Sequence, residues 1–242
     1  MLPNIALDQL LLLDIETTPA APAIEHLSED MQQLWRDKIA KTAPVSGNED
    51  SAYADRAGIY AEFGKIVCIS AGFFSLENNR YQLRLKSFCN DDEAVVLSGF
   101  LELINKFYAK YPRFQFAGHN IKEFDIPFIC RRSVIHQLSL PQPLQLHGFK
   151  PWEIPMLDTL HLWRFGDFKH YISLKLLTAV MGIDTPKDDI DGSMVGKVYW
   201  EEKDLERIAA YCQKDVLAVA QLLLKFKRLP ALTQEDIIIV KK

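Results

Sequence analysis

Two carboxylates stand one residue apart directly after a run of leucines, in the stretch LLLDIETTPA at residues 11–20. Side chains alternate between the two faces of a strand, so Asp14 and Glu16 project from one face and Ile15 from the other. Paired carboxylates aimed at one place can bind a divalent cation through oxygen ligands. An apolar strand that ends in acids is also a common transition to the protein surface. The pair therefore indicates catalysis only if further acids lie nearby.

A second acid follows a predicted strand in GHNIKEFDIPF, at residues 118–128. Pro127 suits the first turn of a helix, which puts Asp125 at the helix N-terminus. A simpler interpretation is that Asp125 caps this helix and that Asn120 forms a turn. The two roles are compatible, because a carboxylate at a strand-to-helix junction lies at the edge of the sheet, where open α/β folds commonly bind ligands.

The third position lies in the strongest predicted helix, DLERIAAYCQKDVLAVAQLLL, where Tyr211 and Asp215 are four residues apart and share one face. That face is otherwise apolar, and an unpaired charge there would be costly. Asp215 therefore needs a partner, which in the simplest case is a surface lysine such as Lys214 or Lys175. A further acid, Asp158 in MLDTL, lies between the second and third positions.

Strand and helix patterns alternate along the chain. Segments rich in β-branched and aromatic residues predict strands in ALDQLLLLDIE, GKIVCISAGFF, YQLRLKSF and FQFAG. Apolar residues at helical spacing predict helices at residues 91–111, 128–138, 174–181 and 204–226. This order favours one mixed α/β sheet with helices packed against it over two independent domains. The proline-containing segment at residues 19–63 interrupts the pattern, and we expect an inserted helical element that is either a surface insertion or a wall of a cleft.

The composition is that of an ordinary globular chain, since 242 residues with 48% hydrophobic and 25% charged side chains can bury a full core. The apolar runs are too short to span a bilayer and the N-terminus has no secretory pattern, so we expect a cytoplasmic protein without a membrane partner. A formal net charge of -4 argues against coating of duplex nucleic acid but allows a local basic groove. The cysteines form no CxxC pair, which favours reduced, buried thiols over disulfides or a zinc site: Cys68, Cys89, Cys130 and Cys212.

Taken in order, these acids resemble the three exonuclease motifs of the DEDD superfamily. Asp14-Ile15-Glu16 is similar to the first motif, the segment from Asn120 to Asp125 to the second, and the segment from Tyr211 to Asp215 to the third. Tyr211 is typical of the tyrosine-bearing (DEDDy) branch, whereas the histidine branch has a histidine at the position that is alanine 210 in this chain. The strongest likeness is to stand-alone predicted 3′ to 5′ exonucleases related to the proofreading domain of family B DNA polymerases.

The resemblance extends over residues 10–226 and implies a fold. That fold is α/β and RNase H-like (DnaQ-like), with a mixed β-sheet flanked by helices. It also implies a single exonuclease domain over residues 1–242, with the helical insertion at residues 19–63.

The chemistry of such a site follows from its carboxylates. Two carboxylates about 4 Å apart repel by roughly 4 kcal/mol at an effective dielectric constant of about 20, so a cluster of four is unfavourable unless divalent cations neutralise it. Mg²⁺ or Mn²⁺ suits oxygen ligands, and two ions about 3.5 to 4 Å apart stabilise both the attacking and the leaving oxygen of a phosphodiester. By resemblance, Asp14 binds both ions, Glu16 and Asp215 bind the ion that carries the water, and Asp125 binds the second ion. Tyr211, with an ordinary pKa of about 10, is expected to orient the water rather than to act as a base.

The sequence is less specific about the residues that contact the substrate. By resemblance, Thr17 touches the terminal nucleotide while Asn120 and Phe124 position the strand end, although local turn and packing roles fit all three equally well. The segment LWRFGDFKHYISLK at residues 162–175 interleaves basic with aromatic side chains. This composition is typical of a single-strand binding loop, and a solvated loop over core aromatics fits it as well.

The leading hypothesis is a metal-dependent exonuclease that removes nucleotides from the 3′ end of a single strand. DNA is the expected strand, although no residue identifies the sugar. One alternative is a non-catalytic nucleic-acid or protein interaction module on the same fold, and another is an RNase H-like endonuclease or nucleotidyl transferase. The full set of acids favours the exonuclease. His119 and His161 are expected to be ordinary hydrogen-bonding side chains, and the tail LTQEDIIIVKK is either a last strand or an interaction segment.

Overall fold

The core of the protein is a mixed, six-stranded β-sheet. The structure, a computed structural model, describes residues 6–42, 49–150, 152–183 and 190–240. Across the sheet the strand order is β5-β4-β1-β2-β3-β6. The strands are β1 (Leu10–Pro19), β2 (Gly64–Glu77), β3 (Arg80–Cys89), β4 (Gln115–Gly118), β5 (Met156–Asp158) and β6 (Ile237–Ile239).

β1 lies in the middle of this sheet and is covered on both faces. It pairs antiparallel with β2 and parallel with β4. Successive leucines enter hydrophobic clusters on opposite faces: Leu11 and Leu13 belong to one cluster, and Leu10 and Leu12 to the other. A strand that is buried on both faces needs apolar residues at every position, which explains the unbroken leucine run before Asp14.

Helices supply the apolar cover on each face. Phe100 and Ile129, from α3 (Glu93–Lys110) and α4 (Asp125–Ile135), join the cluster that contains Leu11. Val216 and Val219, from α8 (Leu205–Lys227), join the opposite cluster. Within the described ranges, no helix is both long and apolar enough to cross a membrane. The helices are α1 (Glu29–Thr42), α2 (Glu49–Arg56), α3 (Glu93–Lys110), α4 (Asp125–Ile135), α5 (Thr159–Arg164), α6 (Leu174–Val180), α7 (Val195–Lys197) and α8 (Leu205–Lys227).

The predicted mixed α/β sheet flanked by helices is confirmed, with differences in detail. α4 begins at Asp125, three residues before the predicted start at residue 128. β5 was not predicted, because three residues are too few to show a periodic pattern. The apolar residues of the tail form β6, which pairs parallel with β3 at the edge of the sheet. α1 and α2 lie in the segment at residues 19–63, of which residues 43–48 are outside the described ranges.

The cysteines differ from the expectation of four reduced thiols. Cys68 on β2 and Cys89 on β3 lie directly opposite each other in the antiparallel register and form a disulfide. The prediction was wrong for this pair because the register of two strands, rather than the spacing of the cysteines in the sequence, brought them together. Cys130 and Cys212 are free, as predicted.

Candidate active site

Four carboxylates and one tyrosine from three parts of the chain line a single cleft of about 340 Å³. β1 supplies Asp14 and Glu16, the start of α4 supplies Asp125, and the middle of α8 supplies Tyr211 and Asp215. The cleft lies where β1 and β4 approach their carboxyl ends, which is the usual position of ligand sites in open α/β sheets. The structure therefore brings together the five residues that the three sequence motifs contain.

The two acids of β1 lie where the strand is paired with β2. Asp14 is directly opposite Ser70 and Glu16 is opposite Cys68, so both acids belong to a regular antiparallel ladder between two central strands. The register shifts immediately after Glu16, between it and Thr17. Such an irregularity in a strand commonly redirects a side chain near an active site, and Thr17 lines the same cleft as the acids.

Asp125 connects α4 to the first motif. Its Oδ1 accepts a hydrogen bond of 3.1 Å from the backbone N–H of Ile15, the residue between the two acids of β1. The residue at the cap position of α4 is Phe124, which makes no side-chain capping bond. Asp125 is thus the first residue of the helix rather than its cap, and its carboxylate is directed at β1.

Three residues determine the turn between β4 and α4: Gly118, Asn120 and Asp158. A Cβ on Gly118 would meet Ile121 Cγ2 at 2.1 Å and the Leu13 carbonyl oxygen at 2.9 Å, so only glycine fits at the end of β4. Asn120 has a φ of 63°, a left-handed conformation that asparagine tolerates better than most residues. Asp158 accepts hydrogen bonds from the Asn120 N–H at 2.9 Å and the Lys122 N–H at 3.1 Å. Asp158 therefore holds this turn, and it also caps α5 through the Leu160 N–H.

α8 supplies two residues that line the cleft, Tyr211 and Asp215, and a third, Cys212, that contacts Asp14. The Tyr211 hydroxyl is hydrogen-bonded to the carboxylate of Asp215 one turn later. Cys212 Sγ lies 3.3 Å from the Asp14 carbonyl oxygen and 3.4 Å from Asp14 Oδ2, so its thiol can donate to either atom. Sequence reasoning did not assign Cys212 to the site, although its position three residues before Asp215 on the same helical face could have indicated it.

Burial and mutual repulsion raise the pKa values of the acids. For Asp14 the largest cause is burial, followed by the negative charges of Asp215 and Glu16. Burial also raises the pKa of Glu16, with Asp215 and Asp125 adding to the effect. The pKa of Asp125 is raised to about 7 by burial, although hydrogen bonds from its own N–H and from the Ile15 N–H oppose the rise. The folded chain therefore brings together carboxylates that disfavour one another's ionisation.

A divalent cation fits this arrangement. Ligand atoms of Asp14, Glu16 and Cys212 all lie within 4.8 Å of one another. Burial and the charges of Asp14 and Glu16 raise the pKa of the Cys212 thiol well above its usual range, so the sulfur stays protonated and is a poor ligand. The remaining donors are carboxylate oxygens, which suit Mg²⁺ or Mn²⁺. A cation among them would also favour the ionised acids.

The three residues that were predicted to touch the substrate all line the cleft: Thr17, Asn120 and Phe124. Asn120 Oδ1 is buried and accepts no hydrogen bond from the described residues. The Phe124 ring packs against Phe128, with centroids 5.5 Å apart. An acceptor without a partner and a ring at the cleft wall are features that a bound nucleotide could use.

The two histidines near the site have structural hydrogen bonds. His119 Nδ1 lies 2.9 Å from Thr159 Oγ1, and its Nε2 lies 2.9 Å from the Ile172 carbonyl oxygen. Burial lowers the pKa of His119, so its ring is neutral near pH 7. His161 Nε2 lies 3.2 Å from Glu123 Oε1. Both residues behave as the ordinary hydrogen-bonding side chains that were predicted.

Comparison with known families adds a decisive observation. Residues 59–238 match a family described as a predicted 3′-5′ exonuclease related to the exonuclease domain of PolB. The chain belongs to this family. No curated protein matches the chain.

A solved structure agrees with the family at the level of the fold. The family B DNA polymerase from the hyperthermophilic archaeon Pyrobaculum calidifontis is similar to this PolB-related exonuclease domain with a TM-score of 0.54 and 14% sequence identity. The similarity covers 90% of this chain but only 24% of the polymerase chain. At this identity the likeness shows the shared fold, which confirms the fold class predicted from the sequence.

The family match begins after the first motif. Asp14 and Glu16 precede residues 59–238, whereas Asp125, Tyr211 and Asp215 lie within them. β1 pairs parallel with β4, and α8 packs on β1 and β2. These contacts bring the two acids of β1 next to the acids that lie within the family match.

Proposed function

We propose that this chain is a 3′ to 5′ exonuclease that hydrolyses single-stranded nucleic acid, with DNA as the expected strand, from its 3′ end. The observation that carries the proposal is the convergence of four carboxylates and Tyr211, from β1, α4 and α8, in one cleft. Membership of a family of predicted 3′-5′ exonucleases supports it. In this proposal the exonuclease domain comprises residues 1–242, and residues 19–63 are a helical insertion within it.

The proposed cofactor is a pair of Mg²⁺ or Mn²⁺ ions, held in the DEDDy manner by Asp14, Glu16, Asp125 and Asp215. When bound, such ions lower the pKa of water and stabilise charge on the attacking and leaving oxygens. The chain contributes the geometry for these ions. Two acids come from a strand that is buried on both faces, and the third is hydrogen-bonded to that strand, so the ligands need little rearrangement.

Tyr211 is proposed to orient the attacking water. Burial, followed by the charges of Asp215 and Glu16, raises the pKa of Tyr211 far above its ordinary value. The hydroxyl is therefore protonated at neutral pH and acts as a hydrogen-bond donor. Its bond to Asp215 keeps the oxygen beside the acids, where its lone pairs can accept a hydrogen bond from water.

The end of the strand is proposed to bind beside the acids through Thr17, Asn120 and Phe124. Asn120 Oδ1 offers a buried acceptor to a hydroxyl or amino group of the terminal nucleotide. Phe124 offers an aromatic face for the terminal base, and Thr17 offers a hydroxyl next to Glu16. Three weak contacts of this kind suit an enzyme that must release each product and accept the next nucleotide.

A timed digestion tests the proposal. A 5′-labelled 20-nucleotide strand, as DNA and as RNA, is incubated with Mg²⁺, with Mn²⁺ or with chelator. The expected result is a ladder that shortens from the 3′ end only when metal is present, which Asp215→Asn abolishes. Asp8→Asn removes an exposed acid outside the cleft and serves as the matched control, with activity like that of wild type.

Two results would contradict the proposal in different ways. Internal fragments instead of a ladder would assign the cleft to an endonuclease. An intact strand in both metals, with binding retained, would assign the chain to the non-catalytic interaction modules. A melting curve for Asp215→Asn that matches wild type ensures that lost activity reflects the site and not the fold.

A further inference from the structure

The connection between α5 and α6 exposes three aromatic rings in sequence. In residues 165–171, here called the aromatic loop, Phe165 is 79% exposed, Phe168 77% and Tyr171 64%. Large apolar rings are normally withdrawn from water, and the aromatic residues of β2, α3 and β4 in this chain pack against one another in the core. A cluster of exposed rings on one loop therefore indicates a binding surface.

The backbone of the aromatic loop is held in place although its rings are exposed. Arg164 Nε donates to the His170 carbonyl oxygen at 2.7 Å, and Arg164 Nη1 donates to Glu123 Oε1 at 2.8 Å. On the other side, His119 Nε2 lies 2.9 Å from the Ile172 carbonyl oxygen. The loop is thus connected to the turn between β4 and α4, which contains most of the second motif.

The first ring of the aromatic loop is directed outward by an unusual backbone. Phe165 has a φ of 45° and Gly166 a φ of 90°, so two consecutive residues adopt the left-handed region at the end of α5. A glycine takes this conformation easily, whereas phenylalanine rarely does. The chain turns sharply here, and the Phe165 ring stands away from the core instead of packing beneath α5.

The position and the charge of the aromatic loop indicate what binds to it. Tyr171 lines the cleft that contains the four acids, so the aromatic loop continues directly from the candidate active site. The segment at residues 162–175 has three basic side chains and one acidic one, a net charge of +2 in a chain whose net charge is -4. Arg164 pairs with Glu123, which leaves Lys169 and Lys175 as the exposed positive charges beside the rings. Aromatic rings interleaved with positive charge suit a single strand of nucleic acid.

We infer that the aromatic loop is a stacking platform for bases of the substrate strand that lie upstream of its 3′ end. Phe165 and Phe168 stack with unpaired bases, while Lys169 and Lys175 face the backbone phosphates. Base faces are accessible only where the bases are not already stacked in a duplex, so the platform selects single strands. It binds more tightly those strands that are long enough to reach it. The inference rests on the proposed function only for the direction of the strand.

Binding without turnover tests the platform itself. Fluorescence anisotropy in chelator follows a 5′-fluorescein-labelled 12-nucleotide oligothymidylate, added to the full chain and to the double variant Phe165→Ala/Phe168→Ala. Because each ring stacks with a base, we expect the Kd to rise by about 10-fold or more, which corresponds to about 1.4 kcal/mol or more. Trp152→Ala is the matched control, because Trp152 is 75% exposed but lies outside the cleft, and its Kd should stay at the wild-type value. Tyr171 is left intact because it lines the cleft.

Hydrolysis with Mg²⁺ gives the second measurement. The p-nitrophenyl ester of thymidine 5′-monophosphate is too short to reach the loop, so the double variant should lose at least about 10-fold more kcat/KM on the 12-mer than on this ester. Equal losses on both substrates, or an unchanged Kd for the 12-mer, would overturn the platform while leaving the exonuclease proposal intact. If wild type hydrolyses neither substrate but the double variant still binds the 12-mer more weakly, the proposed function fails and the platform stands.

Discussion

The backbone N–H of Ile15 donates a 3.1 Å hydrogen bond to the carboxylate of Asp125, a residue 110 positions later in the chain. This bond joins the strand that carries the first two acids to the helix that carries the third. Both partners are buried, so neither can exchange this bond for one with water without opening the site. The carboxylate of Asp125 therefore has two separable properties: it fixes the distance between β1 and α4, and it brings negative charge to the cleft.

Substitutions of Asp125 separate these properties. Asp125→Asn keeps an oxygen acceptor for the Ile15 N–H, whereas Asp125→Ala leaves that N–H buried without a partner. Both variants also remove a charge whose burial raises the pKa of Asp125 to about 7, so the two are compared with each other. We expect the free energy of unfolding of Asp125→Ala to be about 1 to 3 kcal/mol below that of Asp125→Asn. Both variants should lose exonuclease activity because both lose a metal ligand. Urea unfolding in chelator, with the digestion assay alongside, measures the two effects. Equal stability of the two variants would mean that the hydrogen bond contributes nothing to the fold.

Neutralising Glu16 should stabilise the metal-free protein. Its pKa is raised in the folded state, first by burial and then by Asp215 and Asp125, so its ionised form costs folding free energy at every pH above the unfolded value of about 4.3. At pH 8 in chelator, Glu16→Gln removes this cost, and we expect its Tm to exceed that of wild type by at least about 2 °C. Differential scanning calorimetry provides the measurement.

Adding Mg²⁺ should raise the Tm of wild type above that of Glu16→Gln. A ligand that binds only the folded state at about 100 times its Kd adds about 2.7 kcal/mol to the stability. We expect this increment for wild type in Mg²⁺ and a much smaller one for Glu16→Gln, which lacks a carboxylate ligand. A wild-type Tm that is the same in Mg²⁺, Mn²⁺ and chelator would argue against a metal centre at these acids.

Tyr211→Phe should slow the reaction without unfolding the protein. The variant keeps the ring and loses only the hydroxyl that is hydrogen-bonded to Asp215. Because this hydroxyl is proposed to orient the water, we expect kcat to fall by about 100-fold while the Tm in Mg²⁺ changes little. The pH profile of kcat separates a positioning role from a role as a base. A base would make the wild-type rate rise with pH as the hydroxyl deprotonates, and this rise would be absent in Tyr211→Phe. A positioning hydroxyl stays protonated over the working range, so we expect no such rise. An inactive variant with a lowered Tm would indicate a structural role instead.

The sequence predicted the parts of the site that depend on local periodicity. The two-residue repeat of a strand puts Asp14 and Glu16 on one face, and the four-residue spacing of a helix does the same for Tyr211 and Asp215. Pro127 indicated that Asp125 lies at a helix start, and α4 begins at that residue, whereas the apolar pattern placed the start three residues later. Each of these inferences needed only neighbours in the chain.

Relationships between distant segments were not predictable in the same way. The hydrogen bonds of Cys212 to Asp14 depend on how α8 lies across β1, and the Cys68–Cys89 disulfide depends on the register of β2 and β3. β5 is so short that its existence follows only from its pairing with β4. Local patterns fix the face on which a side chain lies, whereas tertiary packing fixes what that face meets.

A buried ion pair between α3 and α4 was also not predictable from the sequence. Glu93, the first residue of α3, accepts hydrogen bonds from Arg132 on α4, including one of 2.9 Å from Nε, and from the Ile66 N–H at 2.7 Å. His136 Nε2 lies 2.7 Å from the same carboxylate. The helix N-terminus adds favourable charge for an acid at this position. One carboxylate thus connects α3, α4 and β2.

Replacing Glu93 should therefore destabilise the fold in a pH-dependent way. Burial raises the pKa of Glu93, but hydrogen bonds from Arg132 and the Ile66 N–H outweigh it and hold the pKa below its usual range. Its stabilisation is thus complete above the unfolded pKa of about 4.3 and is lost as the pH falls through the lower folded value. Glu93→Gln leaves Arg132 buried without its anionic partner, so we expect a loss of about 3 kcal/mol at pH 7 that stays constant to pH 5 and shrinks below it. Urea midpoints between pH 7 and 3.5 measure this difference, with Glu102→Gln, from an exposed pair with Lys106, as the control that should match wild type throughout. A loss that stays constant down to pH 3.5 would show that packing, rather than the charge of Glu93, connects these elements.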